Sequence, residues 1–214
     1  MKKLCVIMLV LMGMFLVGCK KEAHIQLNTS DLEQVRQTQE PIYTPMWVSF
    51  EMPSKTEFRK SKGFLRETLN ECFEKGVSEL EYQSDGISGK VMCQTQIPVV
   101  HENNPNKSSK SLFTYAIMND GTSGLFLNGG LYEELSGVLQ ETYMYEIDIT
   151  SSEIEIGYDP GEEKIEKSFY PNTIQGSPEL TFTTWEIGSQ LNVVLSNLSL
   201  EYMKQNGYVP VISE

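Results

Sequence analysis

The chain has 214 residues, 40% of them hydrophobic, and its 29 acidic and 17 basic residues leave a formal net charge of −12. This length is enough for one sizeable domain or two small ones. The acidity argues against binding to nucleic acid or to anionic lipid, because both depend on clustered Lys and Arg. It is typical of an exported protein that remains soluble through its net charge.

The first 21 residues have the organisation of a secretory signal. Lys2 and Lys3 precede an apolar run from Leu4 to Val17, which is short for a membrane-spanning helix because spanning takes about 20 apolar residues. The segment Leu16-Val17-Gly18-Cys19 resembles the bacterial lipobox, in which cleavage falls just before an acylated cysteine. The alternative interpretation is an uncleaved signal anchor with an incidental cysteine.

The resemblance to the lipobox implies a signal peptide at residues 1–18 and a lipid on Cys19. A lipoprotein carries more than one acyl chain, which makes the attachment to the bilayer stable. The mature chain loses only Lys2 and Lys3 among its charged residues and reaches a formal charge of −14. Lys20 stands where enteric-type bacteria use Asp to retain lipoproteins in the inner membrane. We therefore expect a cell-envelope location, at the periplasmic face of the outer membrane in a Gram-negative host or outside the plasma membrane in a Gram-positive one.

The first half of the body, residues 19–102, predicts the order strand, helix, strand, helix and two strands. Alternating Ala23, Ile25 and Leu27 predict a strand that begins directly after Cys19. Ser30 and Glu33 have capping-box spacing at the start of the first helix. The predicted elements are a strand at 22–28, a helix at 30–39, a strand at 46–52, a helix at 56–75, and a hairpin of strands at 77–83 and 88–99.

Two cysteines remain in the mature body after Cys19. Cys72 lies on the apolar stripe of the predicted helix, and Cys93 lies on the inward face of the predicted strand at 88–99. An even pair in an oxidising compartment predicts a Cys72–Cys93 disulfide. The alternative is a pair of buried thiols. A metal site is disfavoured because only His24 and His101 are available and neither lies at ligand spacing.

The second half, residues 111–214, follows a polar loop at 101–110 that is predicted to separate the halves. Its predicted elements are strands at 111–118 and 123–127, a helix around 131–139, strands at 143–149 and 153–158, an exposed loop at 159–179, a strand at 180–187, a helix at 189–205 and a strand at 208–212. The pattern predicts an α+β fold with a mostly antiparallel sheet and three or four helices packed on one face. The two halves are either separate or one continuous domain.

Sequence motifs for catalysis are missing. There is no nucleophile elbow, zinc-protease helix, phosphate-binding loop or dinucleotide fingerprint. Gly121-Thr122-Ser123-Gly124 follows Asn119-Asp120 and is better explained as a hairpin turn than as a serine nucleophile. His24 is predicted to be a solvent-facing strand residue, and His101 begins a loop. We therefore expect a protein that is not an enzyme and needs no cofactor.

An acidic cluster and a set of aromatic residues are the remaining candidates for a binding site. The acidic cluster is predicted to line the outer face of a hairpin at 146–163, with isoleucines inside, and consists of Glu146, Asp148, Glu153, Glu155, Asp159, Glu162 and Glu163. A solvated face is the preferred interpretation and calcium binding the alternative, although the spacing matches no calcium loop. Core packing explains most of the aromatic residues, with a recognition surface as the alternative: Tyr43, Trp47, Tyr115, Tyr143, Tyr145, Tyr158 and Tyr170.

The overall layout resembles uncharacterised small bacterial or phage-borne lipoproteins. The shared features are the lipobox, an immediate strand, a Ser-Asp-Leu helix start, a Pro-Ser turn before a helix, and two later cysteines ending near Pro98-Val99. This resemblance implies no activity. We expect a membrane-anchored, non-enzymatic module that binds an envelope protein or has a structural role. The alternative is a lipoprotein that binds a small ligand or acts as an inhibitor, immunity or exclusion factor.

Overall fold

The computed structural model describes residues 21–52, 54–84, 89–104, 110–143, 148–161, 164–174, 176–179 and 181–213. The predicted signal peptide and Cys19 lie outside the described residues. So do four members of the predicted acidic hairpin and its aromatic neighbour, namely Glu146, Ile147, Glu162, Glu163 and Tyr145.

The described residues form four α-helices and thirteen strands, which confirms the α+β class. The helices are α1 (Thr29–Thr38), α2 (Lys55–Cys72), α3 (Gly129–Tyr143) and α4 (Asn197–Asn206). The strands are β1 (Lys21–Asn28), β2 (Ile42–Met52), β3 (Glu81–Ser84), β4 (Gly89–His101), β5 (Phe113–Ile117), β6 (Thr122–Leu127), β7 (Ser152–Asp159), β8 (Ile165–Phe169), β9 (Thr173–Ile174), β10 (Ser177–Pro178), β11 (Thr183–Ile187), β12 (Leu191–Val194) and β13 (Tyr208–Ser213).

Local signals set several of these boundaries. The Ser54 hydroxyl accepts a hydrogen bond from the backbone N–H of Glu57 at 3.2 Å and so caps the start of α2. Gly207, with φ of 72°, ends α4 in the left-handed conformation that a glycine adopts without strain. The start of α1 differs from the prediction, because Asn28 rather than Ser30 occupies the cap position.

The strands form a mixed sheet in the order β10-β9-β12-β7-β1-β2-β4-β5-β6-β13-β8-β11, with β3 paired to β4. β1 lies parallel to β7, and β4 lies parallel to β5, while the chain neighbours β1 and β2 are antiparallel. The prediction of a mostly antiparallel sheet is corrected by these two parallel pairings. β1 and β7 are distant in sequence, and β4 and β5 are consecutive strands joined by a crossover rather than by a hairpin, which no local pattern reveals.

The sheet curls until it is nearly a barrel. The hydroxyls of Tyr115 on β5 and Tyr158 on β7 are 2.9 Å apart although three strands lie between β5 and β7 in the sheet. The ring of Tyr158 also meets that of Phe169 on β8 edge-on, with the ring centroids 5.8 Å apart. All three side chains are buried, so their strands must face one another across a common interior. We call the side facing this interior the inner face and the opposite side the outer face.

The helices do not pack on one face, which corrects the second part of the predicted architecture. α1 contacts β1, β4 and β5 and contributes the buried Val35. α2 packs against β2, β3 and α3 over a second apolar cluster that includes Phe58, Leu65 and Leu80. α4 contacts β6, β13 and the turn before β7. A curled sheet offers its two ends for helix packing, and the helices occupy both.

Three predicted elements in the second half are wrong. Asp148 caps a short 3-10 turn at Ile149–Ser151 instead of continuing a strand from 143. The predicted loop at 159–179 contains the short strands β8, β9 and β10. The predicted helix at 189–205 is a strand, β12, followed by the shorter α4, because Leu191 and Val193 point into the core as alternate residues of a strand.

The main apolar core joins the two predicted halves. Ile25 and Ile97 from the first half share one buried cluster with Tyr115, Ile156 and Val211 from the second. The strands of both halves also belong to one sheet. The loop at 101–110 therefore lies between strands that pair with each other, since β4 and β5 are neighbours.

Candidate functional site

A groove on the outer face of β1, β2 and β4 is the candidate site. It has a volume of about 420 Å³, and the segment before β3 forms its far wall. We call it the Trp47 groove. It is lined by Glu22, His24, Trp47, Val48, Ser49, Ser78, Glu79, Glu81, Lys90, Met92, Cys93 and Gln94.

Strand register places the aromatic side chains at the centre of the groove. His24, Trp47 and Gln94 are direct cross-strand neighbours on β1, β2 and β4. The rings of His24 and Trp47 are 5.6 Å apart between centroids and inclined by 48°. Trp47 remains 42% exposed, which makes it one of the few large hydrophobic side chains in the described residues that face solvent. Its ring therefore forms an apolar platform in an otherwise polar face.

Charged side chains surround this platform. The Glu22 carboxylate accepts a hydrogen bond from the Ser49 hydroxyl at 3.2 Å and forms an ion pair with Lys90. On the opposite wall, the hydrogen bond and positive charge of Lys62 lower the pKa of Glu79 below its usual value. His24 Nδ1 lies 3.5 Å from a carboxylate oxygen of Glu155 on β7. These pairs hold the rim in place and leave it with an excess of carboxylates.

The groove has the chemistry of a binding surface. An exposed aromatic ring with polar groups around it is typical of positions that anchor a partner. Among the residues that the structure describes, no three His, Cys, Asp or Glu side chains lie close enough together to hold a metal ion. His24 is the only histidine in the lining, and it pairs with Glu155 rather than with a nucleophile.

The two cysteines of the body are buried free thiols, and the predicted Cys72–Cys93 disulfide is not formed in this structure. Cys72 ends α2 and packs in the main core, whereas Cys93 on β4 packs in the second cluster with Val91. Burial, followed by the charges of Glu71 and Glu134, raises the pKa of Cys72 to about 12. Burial alone raises the pKa of Cys93 to about 11. Both sulfurs are therefore protonated at neutral pH and inert as nucleophiles.

The predicted hairpin is confirmed, but its turn lies at Asn119–Gly121, and Thr122, Ser123 and Gly124 begin β6, whose Ser123 contributes to a polar network inside the barrel. Asp120 accepts hydrogen bonds from the backbone and the hydroxyl of Thr122, which closes the turn between β5 and β6. The Ser123 hydroxyl lies 2.9 Å from that of Tyr115, which in turn reaches Tyr158. Burial, followed by the effect of Tyr115, raises the pKa of Tyr158 well above its ordinary value. This hydroxyl network satisfies buried polar atoms and does not reach solvent.

The other histidine and the acidic cluster are structural in the described residues. His101 is buried at the end of β4, where its Nδ1 accepts a hydrogen bond from the backbone of Asn103 at 3.3 Å. Asp148 accepts hydrogen bonds from Thr150 and Lys204, which together lower its pKa to about 2 against the opposing effect of burial. Glu153 and Glu155 lie on the outer face of β7 with Ile154 and Ile156 inside, as predicted, but their neighbours are β1 and β12 rather than a hairpin partner.

Most of the aromatic residues named as a recognition surface are in the core or at its edge. Tyr115 and Tyr158 are fully buried, and Tyr43 bonds to Glu74 at 2.8 Å through its hydroxyl. Among the members of that set whose side chains the structure describes, Trp47 alone is exposed, while Tyr145 and the side chain of Tyr143 lie outside the described part. The alternation of β2 places Trp47 on the opposite face from Met46 and Val48, and this signal was available in the sequence. The predicted hairpin of strands at 77–83 and 88–99 is confirmed by the antiparallel pairing of β3 with β4, and this hairpin supplies the far wall at 78–81. Its position beside Trp47 could not be inferred, because it depends on the register of β2 against β4.

The sequence matches the family described as a domain of unknown function, DUF7424, over residues 21–214, and the chain belongs to that family. The match begins at the first residue of β1 and covers both predicted halves. No curated protein and no solved structure gives a significant match. Within the described part of the chain, none of the helices combines the length and the apolar character that crossing a bilayer requires.

Proposed function

We propose that this chain is a cell-envelope lipoprotein, anchored through Cys19 after removal of residues 1–18, whose body is a non-enzymatic module that binds a protein partner at the Trp47 groove. The lipobox supports the anchor, and a Gram-negative host would carry the protein on the periplasmic face of the outer membrane. The body requires no cofactor for this function.

The exposure of Trp47 is the observation that carries the proposal. A tryptophan on a sheet face is normally covered, and here the neighbouring side chains stand around the ring without burying it. Burying the remaining surface of such a ring against a partner is favourable at about 25 cal/mol per Å² of apolar area. Met92 lies on the adjacent strand and extends the apolar floor.

The charge of the groove defines the chemistry of the partner. Glu79 and Glu81 lie on the far wall and Glu22 on the near wall; Lys62 pairs with Glu79 and Lys90 with Glu22, which leaves the carboxylates in excess by one. A partner segment with an aromatic or aliphatic side chain next to Lys or Arg would complement this surface. The acidic body as a whole would also accelerate the approach of such a partner.

Photo-crosslinking in cells tests this proposal. Gln94 is exposed, lies in the lining and can be replaced by a photoreactive residue; Gln37 on α1 is an exposed glutamine at the other end of the body and serves as the matched control. We expect a discrete crosslinked protein from position 94, its loss in a Trp47→Ala background, and none of this product from position 37. Crosslinking at 94 that is unchanged by Trp47→Ala would contradict a site centred on the tryptophan.

A second candidate function is the binding of a small ligand, as in an inhibitor, immunity or exclusion lipoprotein. The groove volume of about 420 Å³ favours it, because ligand pockets commonly measure about 300–1,000 Å³. Native mass spectrometry of the protein extracted from envelopes distinguishes the two. A stoichiometric small molecule that is lost in the Trp47→Ala variant supports ligand binding, and a bound polypeptide supports the first proposal.

A further inference from the structure

An exposed apolar patch lies around α4. Leu198 is 75% exposed and Tyr202, one helical turn later, is 51% exposed, so both project from the face of α4 opposite the buried Leu200 and Met203. Phe182 is also 51% exposed and meets the ring of Tyr170 edge-on, with the centroids 5.2 Å apart. We call these four side chains, Tyr170, Phe182, Leu198 and Tyr202, the α4 patch.

The members of the α4 patch are neighbours in space. The Ser199 hydroxyl donates a hydrogen bond to Asn172 at 2.8 Å, which ties the first turn of α4 to the segment just after Tyr170. Burial above all, and then the nearby Asp120, Tyr170 and Tyr202, raise the pKa of Tyr208 against a lowering hydrogen bond with Thr122, so both tyrosines lie near the same side chain. α4 and the segments that follow β8 and precede β11 therefore lie next to each other.

The direction of the strands places this patch at the end of the barrel where β1 begins. β1 and β7 start side by side, with Lys21 opposite Ser152. β12 runs the other way along β7, and its last backbone contact joins Leu195 to Ile154 at 2.9 Å. α4 follows at once and leads into β13. It also packs on the turn that precedes β7. α1, by contrast, follows the last residue of β1 and lies at the other end.

The proposed lipid-bearing residue, Cys19, is close in sequence to the end of the barrel at which β1 begins. Cys19 precedes Lys21 by two residues, and an extended chain spans at most about 3.6 Å per residue. The start of β1 is therefore held within about 7 Å of the acylated residue. Any surface at this end of the barrel is kept next to the bilayer by the anchor, whereas α1 is kept away from it.

We infer that the α4 patch rests in the interfacial layer of the membrane and sets the orientation of the anchored protein. Tyrosine suits this layer because its ring is apolar and its hydroxyl remains hydrated, and Leu and Phe gain by leaving water. Glu201 lies on the same exposed face of α4 and would repel anionic headgroups. We therefore expect the patch to contact neutral lipid. This inference rests on the proposed lipid anchor at Cys19.

This orientation has a consequence for the Trp47 groove. His24 is the fourth residue of β1, and Glu22 the second. The groove thus opens on the side wall of the barrel close to the membrane end. A partner that contacts Trp47 must approach along the membrane surface.

The test uses the full lipidated chain in phosphatidylcholine vesicles, with a nitroxide at Leu198→Cys or, in a matched control, at Gln37→Cys. Cys72 and Cys93 are buried. Wild-type protein treated with the same nitroxide reagent checks that these two thiols are not labelled. We expect the label at position 198 to be severalfold less accessible to a water-soluble nickel relaxation agent than the label at 37, and more accessible to oxygen. A Tyr202→Cys label should behave like the one at 198.

Three other outcomes would contradict the orientation, the anchor or the apolar character of the contact. If the protein floats with the vesicles but positions 198 and 37 are equally accessible to nickel, the orientation is wrong and the anchor stands. If wild-type protein does not float with the vesicles, the anchor and the orientation both fall. Protection that appears only after anionic lipid is added would show an electrostatic contact and contradict the apolar patch.

Discussion

The inner and outer faces of β1, β2 and β7 come from the same stretches of chain and have opposite chemistry. Alternate residues such as Ile25, Met46 and Ile156 are fully buried inside the barrel. The residues between them, among them His24, Trp47 and Glu155, form the polar and aromatic outer face. If the Trp47 groove binds a partner as proposed, stability and binding depend on neighbouring residues, and substitutions one position apart should separate the two properties.

The thiols of Cys72 and Cys93 should show the largest effect, because both side chains are buried in apolar clusters. Their raised pKa values and burial mean that a thiol reagent reaches them only when the chain opens. In the mature lipoprotein proposed above, from which Cys5 is removed and in which Cys19 is acylated, we expect two reactive thiols in denaturant and a reaction slower by orders of magnitude in the native protein. Intact mass spectrometry without reductant is the control, and a mass lower by two hydrogens would show the disulfide that this structure lacks.

Ile156→Ala should be the most destabilising of the substitutions considered. It removes three carbon atoms from a fully buried side chain. Such a truncation typically lowers the free energy of unfolding by about 2–5 kcal/mol. Glu155→Ala, on the outer face of the same strand, should change the free energy of unfolding by about 0.5 kcal/mol or less. Urea denaturation of both variants measures the difference. Equal effects would mean that β7 does not separate an inner from an outer face.

Tyr158→Phe should have an intermediate effect. It removes one hydroxyl from the buried network with Tyr115 and Ser123 and leaves a buried oxygen with one partner fewer, at a cost of about 1–2 kcal/mol. Tyr43→Phe is the matched control, because that hydroxyl bonds to Glu74 at an exposed position. A smaller loss of stability for Tyr158→Phe than for Tyr43→Phe would argue against the hydroxyl network across the barrel.

Trp47→Ala should cost less stability than Ile156→Ala, because 42% of the Trp47 side chain is already exposed whereas Ile156 is fully buried. Its effect should instead appear in binding, as loss of the crosslink from position 94. Circular dichroism of the purified variant checks that the fold is retained. A variant that unfolds like Ile156→Ala would place Trp47 among the core residues and remove the basis for the groove as a site.

Asp148→Asn should have the smallest effect, and one that depends on pH. Hydrogen bonds from Thr150, with Lys204 nearby, lower the pKa of Asp148 to about 2 from an ordinary value of 3.8. A lowered pKa stabilises the folded state above the unfolded pKa, and this contribution is lost as the pH falls from about 4 to about 2. Because the side chain is 41% exposed, solvent screening should keep the effect below about 1 kcal/mol at pH 7. A stability difference from wild type that is unchanged at pH 2 would contradict this assignment.

Sequence patterns alone determined the elements whose signals are local. Alternation predicted β1 and β7 together with the inward face of each, and Ser54 and Gly207 marked the ends at which α2 begins and α4 stops. The lipobox resemblance likewise concerns a contiguous segment, although it falls outside the residues that the structure describes. These predictions depend on residues a few positions apart, where periodicity and capping chemistry operate.

Only the tertiary structure decided the pairing of β1 with β7 and of β4 with β5. It also divided 189–205 into a strand and a helix. Finally, it placed Cys72 and Cys93 in different apolar clusters. In each case the deciding contact lies beyond the few residues over which periodicity and capping operate. Leu191 and Val193 have an apolar spacing that suits a helix or a strand, and the edge of β7 selects the strand by supplying hydrogen-bond partners. The Trp47 groove combines both origins: the hairpin of β3 and β4 was predicted from the sequence, whereas the register that places His24 beside Trp47 came from the sheet.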